Sequence, residues 1–231
     1  MKRLDKWDYE NFFYQTTDKS RLSKIIDHYE IYKKVSHIKG DIFEFGVFKG
    51  VSLIRFLTFR DIINKKTTKH VYGFDAFGKF PIPKKNNLHK SRDSQFAKFH
   101  DKSIGEGINE KKLHKILLKK KFNKFTLIKG NIDTSLEKFL IKKKNKLKIS
   151  LLHLDLDIYS PTKLVLETLY KFVSINGIIL LDDYQHIKGA TYAVDEFLKK
   201  KPTGMNLPFA GPVLQTRSIA VPFLTNSHRW C

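Results

Sequence analysis

The sequence predicts one α/β domain: a doubly wound, mostly parallel sheet with helices on both faces. Short hydrophobic runs of strand length alternate with segments whose apolar residues recur every three or four positions, as strands alternating with amphipathic helices do. Three of the hydrophobic runs are followed by acidic residues, and polar residues just beyond the carboxyl ends of parallel strands face a ligand crevice. Parallel neighbours need crossover connections, which the intervening helices supply.

A helical lead-in is expected over about residues 1–38, because apolar residues between Ser20 and Val35 recur at helical spacing. A strand at Asp41–Phe45 opens the sheet, and residues after Asp75 are expected to be irregular up to about Asn109. The other predicted elements are helices at about 50–62, 110–122, 134–142 and 189–200, a helix beginning near 161, and strands at 70–75, 125–129, 148–155 and 178–181.

Proline and glycine residues mark several predicted boundaries. Pro161 suits the first turn of a helix, where its missing N–H costs nothing. The pair Asn176-Gly177 predicts a turn before the strand at 178–181. After Pro202 the composition changes, and the β-favouring stretch Val213–Val221 is expected to supply one or two antiparallel edge strands at the C-terminus.

Composition bounds the class of protein. A chain of 231 residues can bury a core without disulfides or structural zinc. The only cysteine is Cys231, so we expect a reducing compartment, the cytoplasm. The sequence has no apolar run of signal-peptide length near its start and none approaching the roughly 20 residues of a membrane span. Export and membrane insertion are therefore not expected.

The formal net charge of +21 raises the question of nucleic-acid binding, because neutralised phosphates release counterions. The lysines are scattered through nearly every segment, with short runs at 119–121 and 142–144 that are typical of solvated helix ends and loops. We therefore predict no specific nucleic-acid partner. Weak attraction to RNA, anionic lipid or acidic metabolites is the natural by-product of such a charge.

Two segments suggest a nucleoside-like ligand. Glu44, Gly46 and Gly50 lie between a strand and a helix, where glycines let the backbone turn sharply and approach a ligand. The pattern is not G-x-G-x-x-G, and a carboxylate at this strand tip suits a ligand with a cationic amino group; the alternative is a tight turn with a solvated Glu44. Asp75 ends the next strand, where it could accept hydrogen bonds from ribose hydroxyls or merely cap a turn.

Four aspartates follow two later strands. Asp155 and Asp157 face the same side if both are extended, and Asp182 and Asp183 follow the next strand. Anions so close together need a cation or shared protons, and hard oxygen ligands favour Mg²⁺, Mn²⁺ or Ca²⁺ over zinc. Alternatively one acid caps a helix or pairs with a lysine.

Two histidines lie near these acids. His153 could act as a base, but on a strand a core histidine is the preferred interpretation. His186 follows the acidic pair in a loop, where it could contact a substrate or remain solvated.

These residues resemble the macrocin O-methyltransferase-like enzymes over about Thr16 to Leu198. The most specific segments are LLHLDLDIYSPTK at 151–163, GIILLDDY at 177–184 and AVDEF at 193–197. The segments FEFGV at 43–47, GFDAF at 73–77 and GNIDT at 130–134 resemble the cofactor turns of that family, and Thr16 with Arg21-Leu22 resembles its cofactor-covering segment more weakly.

The resemblance implies a class I, Rossmann-like methyltransferase that uses S-adenosylmethionine and Mg²⁺ to methylate a hydroxyl of a sugar or glycoside, and that forms a homo-oligomer. It implies that Asp155, Asp182 and Asp183 bind the metal and that Asp157 is the general base. The residues it implies for cofactor binding are Thr16, Glu44, Gly46, Val47, Gly50, Asp75, Phe77, Gly130 and Asn131.

The sequence departs from the family at Gly78 and Lys79, where an acid and then a glycine are usual. We expect residues 84–109 and the tail 211–231 to border the acceptor. A noncatalytic module that binds glycan or RNA on the same fold stays an alternative. A nicotinamide-dependent oxidoreductase is disfavoured, since G-x-G-x-x-G is absent after the first strand.

Overall fold

The computed structural model describes residues 4–64, 68–82, 89–143 and 146–200, together with the backbone of a strand at 213–215. The strands are β1 (Asp41–Phe45), β2 (Val71–Asp75), β3 (Phe125–Lys129), β4 (Ile149–Leu154), β5 (Val173–Leu181) and β6 (Val213–Gln215). The helices are α1 (Lys6–Thr16), α2 (Lys19–Val35), α3 (Val51–Ile63), α4 (Lys90–Ser103), α5 (Glu110–Lys119), α6 (Ile132–Lys142), α7 (Tyr159–Leu169) and α8 (Lys188–Lys199), and a 3₁₀ turn at Tyr170–Phe172 follows α7.

The six described strands form one sheet in the order β3-β2-β1-β4-β5-β6, and every neighbouring pair is parallel. The chain builds outward from β1 in one direction and then restarts at β4 in the other. In such a sheet the crevice between the two innermost strands, at their carboxyl ends, is where ligands bind. The doubly wound parallel fold predicted from the sequence is therefore confirmed.

The prediction of antiparallel edge strands at the C-terminus was wrong for the part that the structure describes. β6 pairs with β5 in parallel, with Leu180 opposite Leu214. Helix α8 lies between these two strands in the chain, and a strand–helix–strand crossover returns the chain to the end of the sheet at which it started. The rest of the predicted segment, 216–221, lies outside the described residues.

The stretch predicted to be irregular contains helix α4. Only Asp93 and Ala97 of its 14 residues are buried, so the segment lacks the apolar periodicity by which a helix is recognised. The helix is held by specific contacts instead: Asp93 bonds to the start of α7, and Phe96 packs edge-on against Phe80.

The pair Asn176-Gly177 does not end the segment as a turn. It lies inside β5, where Asn176 has a φ of 63°. The register against β4 jumps here, from Ile149 opposite Val173 to Leu151 opposite Ile178, so the extra residues of β5 form a bulge. Asn tolerates the left-handed conformation that a bulge requires, which is also why the pair resembles a turn in sequence.

The core lies on both faces of the sheet. On one face, Phe43 and Phe45 of β1 pack with the buried sides of α6, α7 and α8. On the other face, Ile42 packs with the buried sides of α2, α3 and α5. Successive side chains of a strand point to opposite faces, so Glu44 lies on the same face as Ile42, beneath α3. No helix in the described part of the chain combines the length and apolar character needed to cross a bilayer.

The carboxyl ends of β1 and β4 are in very close contact. Asp155 donates its backbone N–H to the carbonyl of Phe45 at 2.9 Å, and Gly46 donates its own to the carbonyl of Phe74 at 3.0 Å. Gly46 has a φ of 89°, and a Cβ added there would lie 1.7 Å from the backbone oxygen of Asp155. Only glycine fits this position. The close contact with Gly46 fixes the backbone of Asp155, the first of the acids after β4.

We expect Gly46→Ala to lower the free energy of unfolding by more than about 3 kcal/mol, because the added methyl group overlaps the backbone of β4. Gly105→Ala is the matched control: its φ of 88° is nearly the same, but a Cβ there meets nothing within 4 Å. The control should cost only the left-handed strain, about 1–2 kcal/mol. Urea denaturation measures both; equal losses would show that the contact with β4 is unimportant.

Candidate functional site

A cavity of about 510 Å³ opens at the carboxyl ends of β1, β2, β4 and β5. That volume suits a small-molecule ligand. The predicted site residues that line it are Gly46, Asp75, Gly130, Asn131, Asp155, Asp157, Asp182 and Asp183. The structure thus brings together acids that are more than 100 positions apart in the sequence.

Five of the residues predicted to bind the cofactor do not line this cavity. Val47 and Phe77 are buried at the turns that follow β1 and β2. Gly50 precedes α3 and packs against the side chain of Leu113. Thr16 is exposed at the end of α1, where its hydroxyl donates to the carbonyl of Phe12 at 2.6 Å. Glu44 is fully buried beneath the cavity.

The carboxylate of Asp75 holds the two turns that border the cavity. Its Oδ2 accepts the backbone N–H groups of Val47 and Phe48 at 2.8 and 2.9 Å, and its Oδ1 accepts that of Phe77 at 2.6 Å. Phe48 and Phe77 both have positive φ, so these turns are tight. Asp75 therefore caps these turns, the alternative that the sequence left open, and it also lines the cavity.

Residues 78–81, Ile104 and Gly107 also line the cavity. The N–H of Gly107 donates to the carbonyl of Gly78 at 2.8 Å, and that of Ile108 donates to the carbonyl of Phe48 at 2.7 Å. The ring of His100 on α4 lies 4.9 Å from Phe80 and 5.4 Å from Phe48, measured between centroids. Part of the stretch expected to border the acceptor is thus attached to the turn after β1.

Three of the four aspartates form one group. Carboxylate oxygens of Asp155, Asp157 and Asp183 lie within 4.8 Å of one another. Burial raises the pKa of each of them, and the neighbouring carboxylates raise it further, to about 8 for Asp157. Without another positive charge the group can hold protons at neutral pH, and with one it can bind a cation.

The backbone of Asp157 is fixed from two sides. Its N–H donates to Oδ2 of Asp183 at 2.9 Å, and its carbonyl accepts the N–H of Ala190, at the start of α8, at 3.1 Å. Asp157 has a φ of 61°, so β4 ends before this residue. Gly189 allows the close approach, since a Cβ there would lie 2.9 Å from the nitrogen of Tyr159.

Asp182 is paired differently from the other three acids. Lys24 on α2 donates from Nζ to Oδ2 of Asp182 at 2.5 Å, and Nε2 of His153 lies 3.9 Å from Oδ1. Burial alone would raise the pKa of Asp182, but the nearby His153 ring and the Lys24 ammonium hold that pKa below its ordinary value. The alternative that one acid pairs with a lysine thus applies to Asp182.

A group of buried polar residues lies directly under Asp182. His28 and His153 are both fully buried, and their ring centroids are 5.4 Å apart. Neither ring has a hydrogen-bond partner among the described residues. Burial, followed by the charges of His153 and Lys24, lowers the pKa of His28 to about 2, so this ring is neutral. His153 is therefore a core histidine, the interpretation that the sequence favoured. Within the described part of the chain, its ring lacks the hydrogen bond that a core histidine normally forms.

Glu44 belongs to the same buried group. Its Oε1 lies 3.8 Å from Nδ1 of His153 and accepts a hydrogen bond from the hydroxyl of Ser52. Burial raises the pKa of Glu44 to about 8. The sequence interpretation had placed this carboxylate in the crevice, but strand alternation turns it beneath α3 instead.

His186 is exposed and does not line the cavity.

Asp93 is a positioning residue that sequence reasoning missed. It is fully buried, and its carboxylate accepts the backbone N–H groups of Tyr159 and Ser160 at 3.1 and 3.2 Å. N–H groups in the first turn of a helix have no partner within the helix, and α7 has no capping side chain of its own, so Asp93 takes that place. Asp93 therefore fastens α4 to the loop that carries Asp157. A cap from 66 residues away leaves no local sequence signal.

Comparison with known proteins identifies the relatives of this chain. The family model described as Macrocin-O-methyltransferase (TylF) matches residues 1–209. A search of curated proteins found no match.

Solved structures of similar fold include two methyltransferases. CalS11, a calicheamicin methyltransferase, has a TM-score of 0.62 at 19% identity, over 89% of this chain and 82% of that chain. The O-methyltransferase NovP has a TM-score of 0.65 at 20% identity, over 77% of this chain and 72% of that chain. At these identities the likeness shows the fold alone.

The buried Glu44 makes stability depend on pH. Its pKa of about 8 in the folded protein exceeds the ordinary value of 4.5, so the folded state keeps the proton longer than the unfolded state does. The contribution of Glu44 is therefore present at low pH and is lost as pH rises toward 8, by up to about 1.4 kcal/mol per pH unit. Glu44→Gln, which stays neutral, should lack this loss.

Chemical denaturation of both proteins at pH 6, 7 and 8 measures the effect. The wild type should become progressively less stable relative to Glu44→Gln as pH rises, while shared contributions from the aspartates cancel. A difference in unfolding free energy that is the same at all three values would contradict the neutral, buried Glu44.

Proposed function

Because the chain belongs to the macrocin O-methyltransferase family, we propose that it is a Mg²⁺-dependent enzyme that transfers a methyl group from S-adenosylmethionine to a hydroxyl of a sugar or glycoside. One observation supports this proposal most: a single cavity joins the turns after β1 and β2 to the four aspartates after β4 and β5. A nucleoside donor and a hydroxyl acceptor would meet where these two halves adjoin.

The donor half fits S-adenosylmethionine. Gly46, Asp75, Gly130 and Asn131 line one side of the cavity, and Phe74 and Ile132 add apolar surface there. Gly46 contributes backbone to the cavity wall, and Asp75 presents a carboxylate at the tip of the second strand, where ribose hydroxyls bind in folds of this kind. Once bound, this cofactor supplies a methyl group already activated on a sulfonium sulfur.

The acceptor half fits a divalent cation. Asp155 and Asp183 are partly buried carboxylates with no cation paired to either among the described contacts, and oxygen donors of this kind suit Mg²⁺. By resemblance to the family, Asp155, Asp182 and Asp183 would hold the ion. A bound cation would lower the pKa of an acceptor hydroxyl and fix its position.

Asp157 is the proposed general base. Its position is held through its backbone by Asp183 and Ala190, so its carboxylate stays close to the metal residues without needing to bind the ion. A base that is already held in place does not have to be ordered at each turnover before it removes the proton of the attacking hydroxyl. Less entropy is therefore lost on reaching the transition state. Asp93 and α8 supply that rigidity from outside the site.

The proposed acceptor class rests on the family and on one related structure. CalS11 is described as a TDP-rhamnose 3'-O-methyltransferase. We extend to this chain only a sugar or glycoside as acceptor. We also propose that the chain acts in the cytoplasm as a homo-oligomer, with no specific nucleic-acid partner.

Methyl transfer from labelled S-adenosylmethionine to a panel of nucleotide sugars and glycosides tests the function. We expect Asp157→Asn to reduce kcat by about 10²- to 10⁴-fold, the usual contribution of a general base. Asp155→Asn and metal chelation should each abolish transfer. Glu167→Gln, which loses only an exposed ion pair with Lys200, should leave the rate unchanged.

Three results would contradict the proposal. Full activity of Asp155→Asn after chelation would exclude the metal role of this residue. Calorimetry that finds no binding of S-adenosylmethionine or S-adenosylhomocysteine would exclude the donor. Cofactor binding without transfer to any acceptor would favour the noncatalytic glycan-binding alternative.

A further inference from the structure

Lys24 forms an ion pair with one of the four aspartates, and the proposed reaction gives this lysine no role. Its ammonium lies 2.5 Å from Oδ2 of Asp182, and the two side chains are only 15% and 8% exposed. Both residues also line the cavity. The pair is therefore a partly buried ion pair within the proposed metal site.

The position of Lys24 is set by helix α2. Ile31, Tyr32 and Val35 on the same helix are buried in the core against α3, so α2 cannot shift freely. Asp18 caps its first turn by accepting the N–H of Ser20 at 2.8 Å. Lys24 thus reaches the carboxylate from a fixed backbone, and only its side-chain torsions can move the ammonium away.

The ion pair divides the four acids into two sets. Asp155, Asp157 and Asp183 form a group of oxygens within 4.8 Å, whereas Asp182 groups with His28 and His153. A divalent ion bound by Asp155 and Asp183 would need Asp182 to complete the predicted set. An ammonium and a divalent ion repel each other and cannot both occupy the same face of one carboxylate.

We propose that Lys24 is a tethered competitor for the metal site: its ammonium neutralises Asp182 in the metal-free protein and must leave before a divalent ion can use that carboxylate. This inference rests on the proposed function, since it takes the aspartates to be metal ligands. The competition lowers the affinity for the ion and, in exchange, keeps Asp182 charge-balanced when the ion is absent.

Direct binding of Mn²⁺, followed by electron paramagnetic resonance in the absence of cofactor and acceptor, tests the proposal. Lys24→Gln removes the competing charge and should tighten the Kd for Mn²⁺ at least tenfold. Arg21→Gln is the matched control, because Arg21 lies one turn earlier on α2 and lines the same cavity. It removes an equal charge that forms no ion pair with Asp182 among the described contacts, and it should change the Kd less than threefold.

Lys24→Met serves as a second variant, and circular dichroism establishes that each protein is folded. Equal Mn²⁺ affinity in the wild type and both Lys24 variants would overturn the competition. Equal tightening by Arg21→Gln would overturn it as well, since a general loss of positive charge would then explain the effect. Absence of Mn²⁺ binding in the wild type and in every variant would overturn both this inference and the proposed metal site. Methyl transfer is measured separately, so a failure of the proposed function can be distinguished from a failure of this inference.

Discussion

The rest of the structure depends on one constraint: four carboxylates lie close together at the ends of the adjacent strands β4 and β5. Buried anions repel one another and lose their hydration, so the arrangement is stable only if charge is removed or balanced. The chain uses both means. Asp155, Asp157 and Asp183 have raised pKa values and can hold protons, while Asp182 stays charged beside Lys24. If a divalent ion binds here as proposed, it would replace these protons and the Lys24 ammonium.

The parallel sheet creates this arrangement. The order of strands reverses between β1 and β4, so their carboxyl ends adjoin the crevice, and Gly46 lets the two ends touch. The same strand geometry turns Glu44 and His153 inward, side by side in register, and forms a polar layer beneath Asp182. The register of β1 against β4 therefore determines both the cavity and the buried polar layer beneath it.

Much of the fold and of the candidate site could be predicted from the sequence, because hydrophobic runs and the acids that follow them are local signals. The alternation of hydrophobic runs predicted the parallel strands, and acids placed directly after them predicted that Asp155, Asp157, Asp182 and Asp183 would meet at one edge. What the sequence could not predict depends on distant partners. Asp93 caps a helix 66 residues away, Lys24 pairs with an acid 158 residues away, and α4 forms with little apolar periodicity of its own. Glu44 was misplaced because strand alternation puts it on the face of β1 that α3 covers, and the sequence alone does not show which face that is.

The most direct measurement is a crystal structure with Mn²⁺ and S-adenosylhomocysteine bound, with the metal located by anomalous scattering. Our expectation is an anomalous peak in contact with Asp155, Asp182 and Asp183, the Lys24 ammonium displaced from Asp182, and the nucleoside beside Gly46 and Asp75. A fully occupied cofactor site without an anomalous peak, with Lys24 still bonded to Asp182, would contradict it.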